Sequence, residues 1–135
     1  MNIFISSKIK KDFKEAVELA EKLGANLEIC GFADSLILDG EFEETLERYA
    51  AILKNFSGQK ALHGTFYDLN PVSKDPKIRE ITDYRYNQTL HTAEMLGVKT
   101  VVFHTCYNDF HSEDYREKFL DRISGFWEKN IKKFE

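Results

Sequence analysis

The segment TAEMLGVKTVVFH, residues 92–104, gives the clearest indication of the fold. It passes from a helical segment through a glycine to an apolar, β-branched run that ends in His104. Glycine ends helices well because it adopts the left-handed conformation without a steric penalty. A short β-branched run is typical of a buried strand. The stretch therefore predicts a helix, a tight turn and a strand, with a histidine where the strand ends.

The same order recurs along the chain. Strands are predicted over residues 2–6, 26–30, 60–65 and 99–104, and helices over about 10–23, 41–56, 76–96 and 113–134. Strands that alternate with helices form a parallel sheet with right-handed crossovers. We therefore predict an α/β fold in one domain, residues 1–135, made of four consecutive βα units. Such a chain corresponds to the first half of a TIM-like (β/α)8 barrel.

The composition is typical of a globular domain. Of the 135 residues, 42% are hydrophobic and 31% are charged, and the net charge is −4. No apolar run approaches the ~20 residues of a membrane span, and no basic start followed by an apolar run indicates a signal peptide. The two cysteines are far apart in the sequence. These features predict a cytoplasmic protein with reduced thiols and no membrane partner.

Side chains alternate between the two faces of a strand. In each predicted strand, one set of alternate residues (one phase) is mostly aliphatic, and these side chains are expected to face the helices. The other phase brings together five polar or reactive side chains near the carboxyl ends of the strands: Ser6, Glu28, Cys30, His63 and His104. Parallel α/β folds carry their chemistry at that end of the sheet. The sequence therefore predicts a shared pocket there.

His63 and His104 are the candidate metal ligands. Neutral imidazole binds Zn²⁺ and Mn²⁺ well, although a catalytic zinc ion usually has three protein ligands. The alternative is that each histidine hydrogen-bonds a carboxylate or a substrate hydroxyl. Glu28 is either a pocket carboxylate or an interior one paired with a cation. Phe66 and Tyr67 either cover a sugar ring or an abasic nucleotide, or pack within their own loop.

The other histidines and cysteines carry weaker expectations. His91 is predicted to lie on the surface or to take part in helix packing. His111 lies in the loop after the fourth strand, from which it could reach the pocket. Cys30 and Cys106 share the phase of the two candidate ligands. Their spacing is not that of a zinc finger or knuckle, so no cysteine–histidine zinc cluster is expected.

Three segments resemble the xylose isomerase-like barrel superfamily, which includes sugar-phosphate isomerases and epimerases and the family 2 AP endonucleases. They are LGANLEIC (23–30), ALHGTFYDLNP (61–71) and TAEMLGVKTVVFH (92–104). The resemblance covers the whole chain but only the N-terminal half of a family member. It implies that His63 and His104 bind metal or substrate and that Glu28 lines the pocket. The acid/base residues and strongest ligands of the family lie on strands five to eight and have no counterpart here.

The resemblance implies a sugar or sugar-phosphate isomerase or epimerase. Such an enzyme uses a divalent metal ion, Zn or Mn, for proton transfer next to a carbonyl. Glu28, His63, Phe66 and Tyr67 would contact a small-molecule sugar or sugar phosphate, and the catalytic residues would lie elsewhere. The chain would supply one side of the site and be inactive alone. Its partner would be the missing C-terminal half or a second copy in a homodimer.

Two alternatives remain open from the sequence. The first is a zinc-dependent AP endonuclease-like repair enzyme, which would bind nucleic acid. The negative net charge and an expected lack of clustered lysines or arginines in the rim loops weigh against it. The second is a non-catalytic half barrel, either a fragment or an assembly subunit.

Overall fold

The computed structural model of the protein describes residues 3–107 and 112–133. Its strands and helices are β1 (Phe4–Ser6), α1 (Phe13–Leu23), β2 (Asn26–Ile29), α2 (Ser35–Gly40), α3 (Phe42–Leu53), β3 (Lys60–His63), α4 (Pro76–Met95), β4 (Thr100–Val102) and α5 (Glu113–Asn130). The sheet has the order β1-β2-β3-β4, and each neighbouring pair is parallel. The predicted α/β fold of four βα units is confirmed. His111 lies outside the described residues.

The aliphatic phase of the strands forms the core beneath the helices. Ile29 pairs with Leu62, and Leu62 with Val101, so these side chains project from the same face of the sheet. Leu27, Ile29 and Leu62 have no exposed surface. Burying one such side chain contributes about 1.5–3 kcal/mol. The period-two prediction of the helix-facing residues is therefore confirmed.

Local capping sets the helix ends. Gly24 follows α1 with φ 61°, and its N–H donates to the carbonyls of Ala20 and Glu21. The helix begins at Phe13 and not at residue 10, because the Asp12 side chain caps it by accepting from the N–H of Glu15. The predicted start of this helix was wrong by one turn.

Helix α2 was not predicted, since the segment was interpreted as a loop. The Asp34 side chain accepts from the N–H of Leu36 at 2.9 Å and so provides an N-cap. Leu38, one turn further on, is buried in the core. A capping aspartate followed by a single buried leucine stabilises this six-residue helix although it is too short to show a periodic pattern.

The opposite face of the sheet is open within the described part of the chain. Phe4 on β1 and Val102 on β4 both project from this face, and they are 38% and 41% exposed. In a complete barrel, side chains of the other strands fill this space. Helix α5 is also only partly covered: Phe119 and Ile123 are buried, but Leu120 is exposed. Part of the apolar surface of this helix is therefore not packed against the described residues.

None of the helices in residues 3–107 and 112–133 combines the length and hydropathy that a bilayer crossing requires.

Candidate functional site

Glu28, His63 and His104 meet at the carboxyl end of the sheet. Nδ1 of His63 lies 2.8 Å from Oε1 of Glu28, and Nε2 of His63 lies 2.8 Å from Nε2 of His104. An ionised carboxylate only accepts hydrogen bonds, so His63 donates from Nδ1. This contact favours the tautomer of His63 that carries its proton on Nδ1 and a lone pair on Nε2. That lone pair faces the second imidazole.

The backbone around His63 is held on both sides. The N–H of Gly64 donates to the carbonyl of Val102 at 2.9 Å and continues the β3–β4 pairing. A Cβ at Gly64 would lie 2.8 Å from the ring of Phe103, so a larger residue would displace the segment before His104. The next residue, Thr65, is buried and bonds to Thr89 on α4. These contacts therefore hold the backbone next to both histidines in place.

His104 itself lies beyond the strand that was predicted to contain it. Strand β4 ends at Val102, so His104 belongs to the following loop. Phe66 stacks on His104 with ring centroids 4.3 Å apart and an interplanar angle of 10°. The same ring approaches His63 edge-on at 5.3 Å. Phe66 thus connects the two imidazoles and limits how His104 can turn.

Of the two predicted substrate-contacting aromatics, Phe66 adjoins the histidines and Tyr67 adjoins Phe66. Phe66 lines a cavity of about 220 Å³ together with Glu28 and His63. Tyr67 is 55% exposed, and its ring centroid lies 4.2 Å from that of Phe66. One ring therefore packs on the imidazoles while the other lies on the rim. Their role in binding substrate stays a prediction.

Cys30 is a site residue that the sequence reasoning set aside. It follows β2 directly, and its N–H donates to the hydroxyl of Ser7 at 2.9 Å. The ligand atoms of Glu28, Cys30 and His63 lie within 4.8 Å of one another, so these three residues could hold a metal ion. The strand phase had already placed Cys30 beside Glu28. It was set aside because its spacing matches no known zinc motif and because buried reduced cysteines are common.

Cys106 and His91 do not join this group in the described part of the chain. Cys106 has a φ of 60°, its thiol contacts the carbonyl of His104 at 3.6 Å, and burial raises the pKa of that thiol. A thiol with a raised pKa is a weaker source of the thiolate that metals bind. His91 is exposed, and its ring centroid lies 6.1 Å from that of Phe42, in agreement with the predicted surface or helix-packing role.

The loop between β1 and α1 carries three lysines at the rim of the site. Lys8, Lys10 and Lys11 line a second cavity of about 240 Å³. The expectation that the rim loops lack clustered basic residues was therefore wrong. Two of the lysines had been assigned to the first turns of a helix that in fact begins at Phe13.

Solved structures resemble this chain, among them the following two. The TTHB071 protein from Thermus thermophilus, in a structure soaked with ZnCl2, is 21% identical over 93% of this chain and 48% of its own, with a TM-score of 0.73. A D-tagatose 3-epimerase-like protein is 19% identical over 98% of this chain and 48% of its own, with the same TM-score. No family model and no curated protein matches the sequence.

The chain spans about half the length of these two solved structures. At such identities the likeness shows the fold. It confirms the predicted resemblance at the level of the backbone, with this chain as about half of a barrel.

Proposed function

We propose that this chain forms one side of the active site of a sugar or sugar-phosphate isomerase or epimerase. The likeness to about half of a xylose isomerase-like TIM barrel supports this proposal. The observation that carries the proposal is the array of Glu28, His63 and His104, joined by two contacts of 2.8 Å. It lies at the end of the sheet where barrel enzymes hold their substrates. The D-tagatose 3-epimerase-like protein, which shares the fold, supports the reaction class.

The donor set fits a divalent metal ion. A histidine that binds a metal through one nitrogen commonly donates its other N–H to a carboxylate, as Nδ1 of His63 does to Glu28. His63 and His104 would hold the ion through Nε2. The Cys30 thiol belongs to a second group of possible ligands, with Glu28 and His63, which does not include His104. Nitrogen and sulfur donors suit Zn²⁺, whereas Mn²⁺ prefers oxygen. We therefore propose zinc ahead of manganese.

The side chains of this half have defined tasks in the proposed reaction. Glu28 holds the proton of His63 at Nδ1 and keeps its Nε2 free to act as a ligand. Phe66 stacks on one face of His104 and orients its ring. A bound metal would polarise a substrate oxygen and favour proton loss from the neighbouring carbon. We assign the acid/base residues to the half of the barrel that completes the site.

The open face of the sheet supports a partner half. Phe4 and Val102 project from this face and are exposed, and an apolar barrel interior is stable only when it is filled. The partner would be either a further segment of the same polypeptide or a second copy. Light scattering distinguishes these: a dimer of the 135-residue chain supports the second copy, and a monomer supports the continuous barrel.

Calorimetric titration with Zn²⁺ and with Mn²⁺ tests the metal site. We expect binding by the wild type and by the control His91→Gln, and loss of binding in His63→Gln and His104→Gln. Metal-loaded protein, in its assembled form, is then assayed with a panel of aldoses, ketoses and their phosphates. A protein that binds no divalent cation and converts no sugar would contradict the proposal and leave the non-catalytic half barrel.

A zinc-dependent AP endonuclease-like activity is the second candidate. It is favoured by the basic loop of Lys8, Lys10 and Lys11, since proteins bind nucleic acids largely by neutralising phosphates. Nicking of an oligonucleotide with an abasic site by the zinc-loaded protein would place this activity ahead of the isomerase.

Both described cysteines are free, in keeping with the cytoplasmic location that we propose for either enzyme.

A further inference from the structure

We infer that the β1–α1 loop binds the phosphate group of a sugar-phosphate substrate, in the cavity formed by Ser7, Lys8, Lys10 and Lys11. This inference rests on the proposed function, from which the sugar part of the substrate is taken. What it adds is that the substrate carries a phosphate group and where that group binds. It concerns a place in the fold distinct from the histidine array, though next to it.

The three lysines have charges available for a ligand. All three are exposed, and none takes part in the ion pairs formed by the described residues. The cavity also contains one carboxylate, that of Asp34. This group already caps α2 by accepting from the N–H of Leu36 at 2.9 Å. Three cations against one engaged carboxylate favour an anion in the cavity.

Ser7 adds a buried donor to the same cavity. Its side chain is only 7% exposed, and its oxygen accepts from the N–H of Cys30 at 2.9 Å. The hydroxyl hydrogen has no acceptor among the residues that the structure describes. A phosphate oxygen is a strong acceptor, and hydrogen bonds to an ionised group are about twice as strong as neutral ones. Ser7 therefore supplies a directed contact besides the mobile lysine charges.

The cavity adjoins the histidine site. Lys8 and Cys30 line both this cavity and the one that contains Glu28 and His63. One small molecule could therefore place its phosphate among the lysines and its sugar beside His63. A nucleic acid instead requires basic surface along several phosphates, whereas the chain as a whole has a charge of −4. The geometry thus favours a single phosphate monoester over a polynucleotide.

Inorganic phosphate is the first probe. It is titrated calorimetrically, at low ionic strength and with EDTA present, into the wild type and the triple variant Lys8→Ala/Lys10→Ala/Lys11→Ala. The control, Lys54→Ala/Lys118→Ala/Lys129→Ala, removes the same charge from exposed sites elsewhere. We expect the rim variant to bind at least about tenfold more weakly, and the control within about twofold of the wild type. Equal weakening in both variants would overturn the assignment.

A second comparison separates the possible sources of phosphate. D-fructose 6-phosphate is expected to bind the wild type at least about tenfold more tightly than D-fructose, and this preference is expected to vanish in the rim variant. Tighter lysine-dependent binding of a single-stranded oligonucleotide would overturn the small-molecule assignment. Zn²⁺ titration of the rim variant reports on the metal site separately. Retained zinc binding with no phosphate binding in the wild type would refute this inference alone.

Discussion

Replacing Glu28 tests how the histidine array is held. The carboxylate lies 2.8 Å from Nδ1 of His63, and both side chains are less than one-third exposed. Removing a carboxylate that orients a metal-binding histidine typically costs 10–100-fold in affinity, about 1.4–2.7 kcal/mol. Glu28→Gln retains an oxygen acceptor but loses the charge, so we expect about a tenfold weaker Zn²⁺ affinity. Glu28→Ala loses both, and we expect about 100-fold.

The affinities are measured by competition with a chromophoric chelator at fixed pH. Glu47→Gln, an exposed residue of α3, makes the same charge change away from the site and serves as the control. A graded loss, with alanine worse than glutamine, follows from a carboxylate that acts through His63. Equal and complete loss in both variants would instead identify Glu28 as a direct ligand. Unchanged affinity in both would refute the account of the array.

Three further predictions concern stability. Gly31→Ala is expected to destabilise the fold by about 1–3 kcal/mol in urea denaturation, because its Cβ would overlap the Tyr49 hydroxyl; unchanged stability would mean that this contact relaxes freely. Leu62→Ala, at the fully buried centre of the sheet, is expected to cost about 2–5 kcal/mol in the same assay; a loss below about 1 kcal/mol would contradict that placement. The hydrogen bond from Arg85 lowers the pKa of Asp39 below 3.8, so its stabilising contribution is present above that value and is lost as the pH falls through the lowered pKa. Asp39→Asn should therefore lose less stability on acidification than the wild type, and a parallel loss would show that the pair contributes nothing.

The fold could be predicted from the sequence because several local signals agree. Leu-Gly ends two helices directly before apolar strands, and Gly24 and Gly97 both adopt the left-handed conformation that this role requires. Period-two patterning then identified which side chains face the helices, as the burial of Leu27 and Ile29 shows. Helix α2 gave no such signal, since a six-residue segment is shorter than two helical turns.

The candidate site was predicted in part. Strand phase placed Glu28 with His63, and the structure joins them by a hydrogen bond. Strand phase also placed His104 in the pocket, and its Nε2 does lie 2.8 Å from that of His63. What phase could not show is how the ring is held, because His104 lies beyond the end of β4 and stacks on Phe66. The cavity that contains Lys8 depends on three separate loops, and contacts between loops leave no periodic trace in a sequence.

The most direct test of the account is to determine which atoms bind zinc. X-ray absorption at the zinc edge is measured on the zinc-loaded wild type and on the double variant His63→Gln/His104→Gln. We predict imidazole scattering from two histidines in the wild type and its loss in the variant. An identical spectrum for both proteins, or a wild-type spectrum without imidazole ligands, would contradict the claim that these histidines form one side of a metal site.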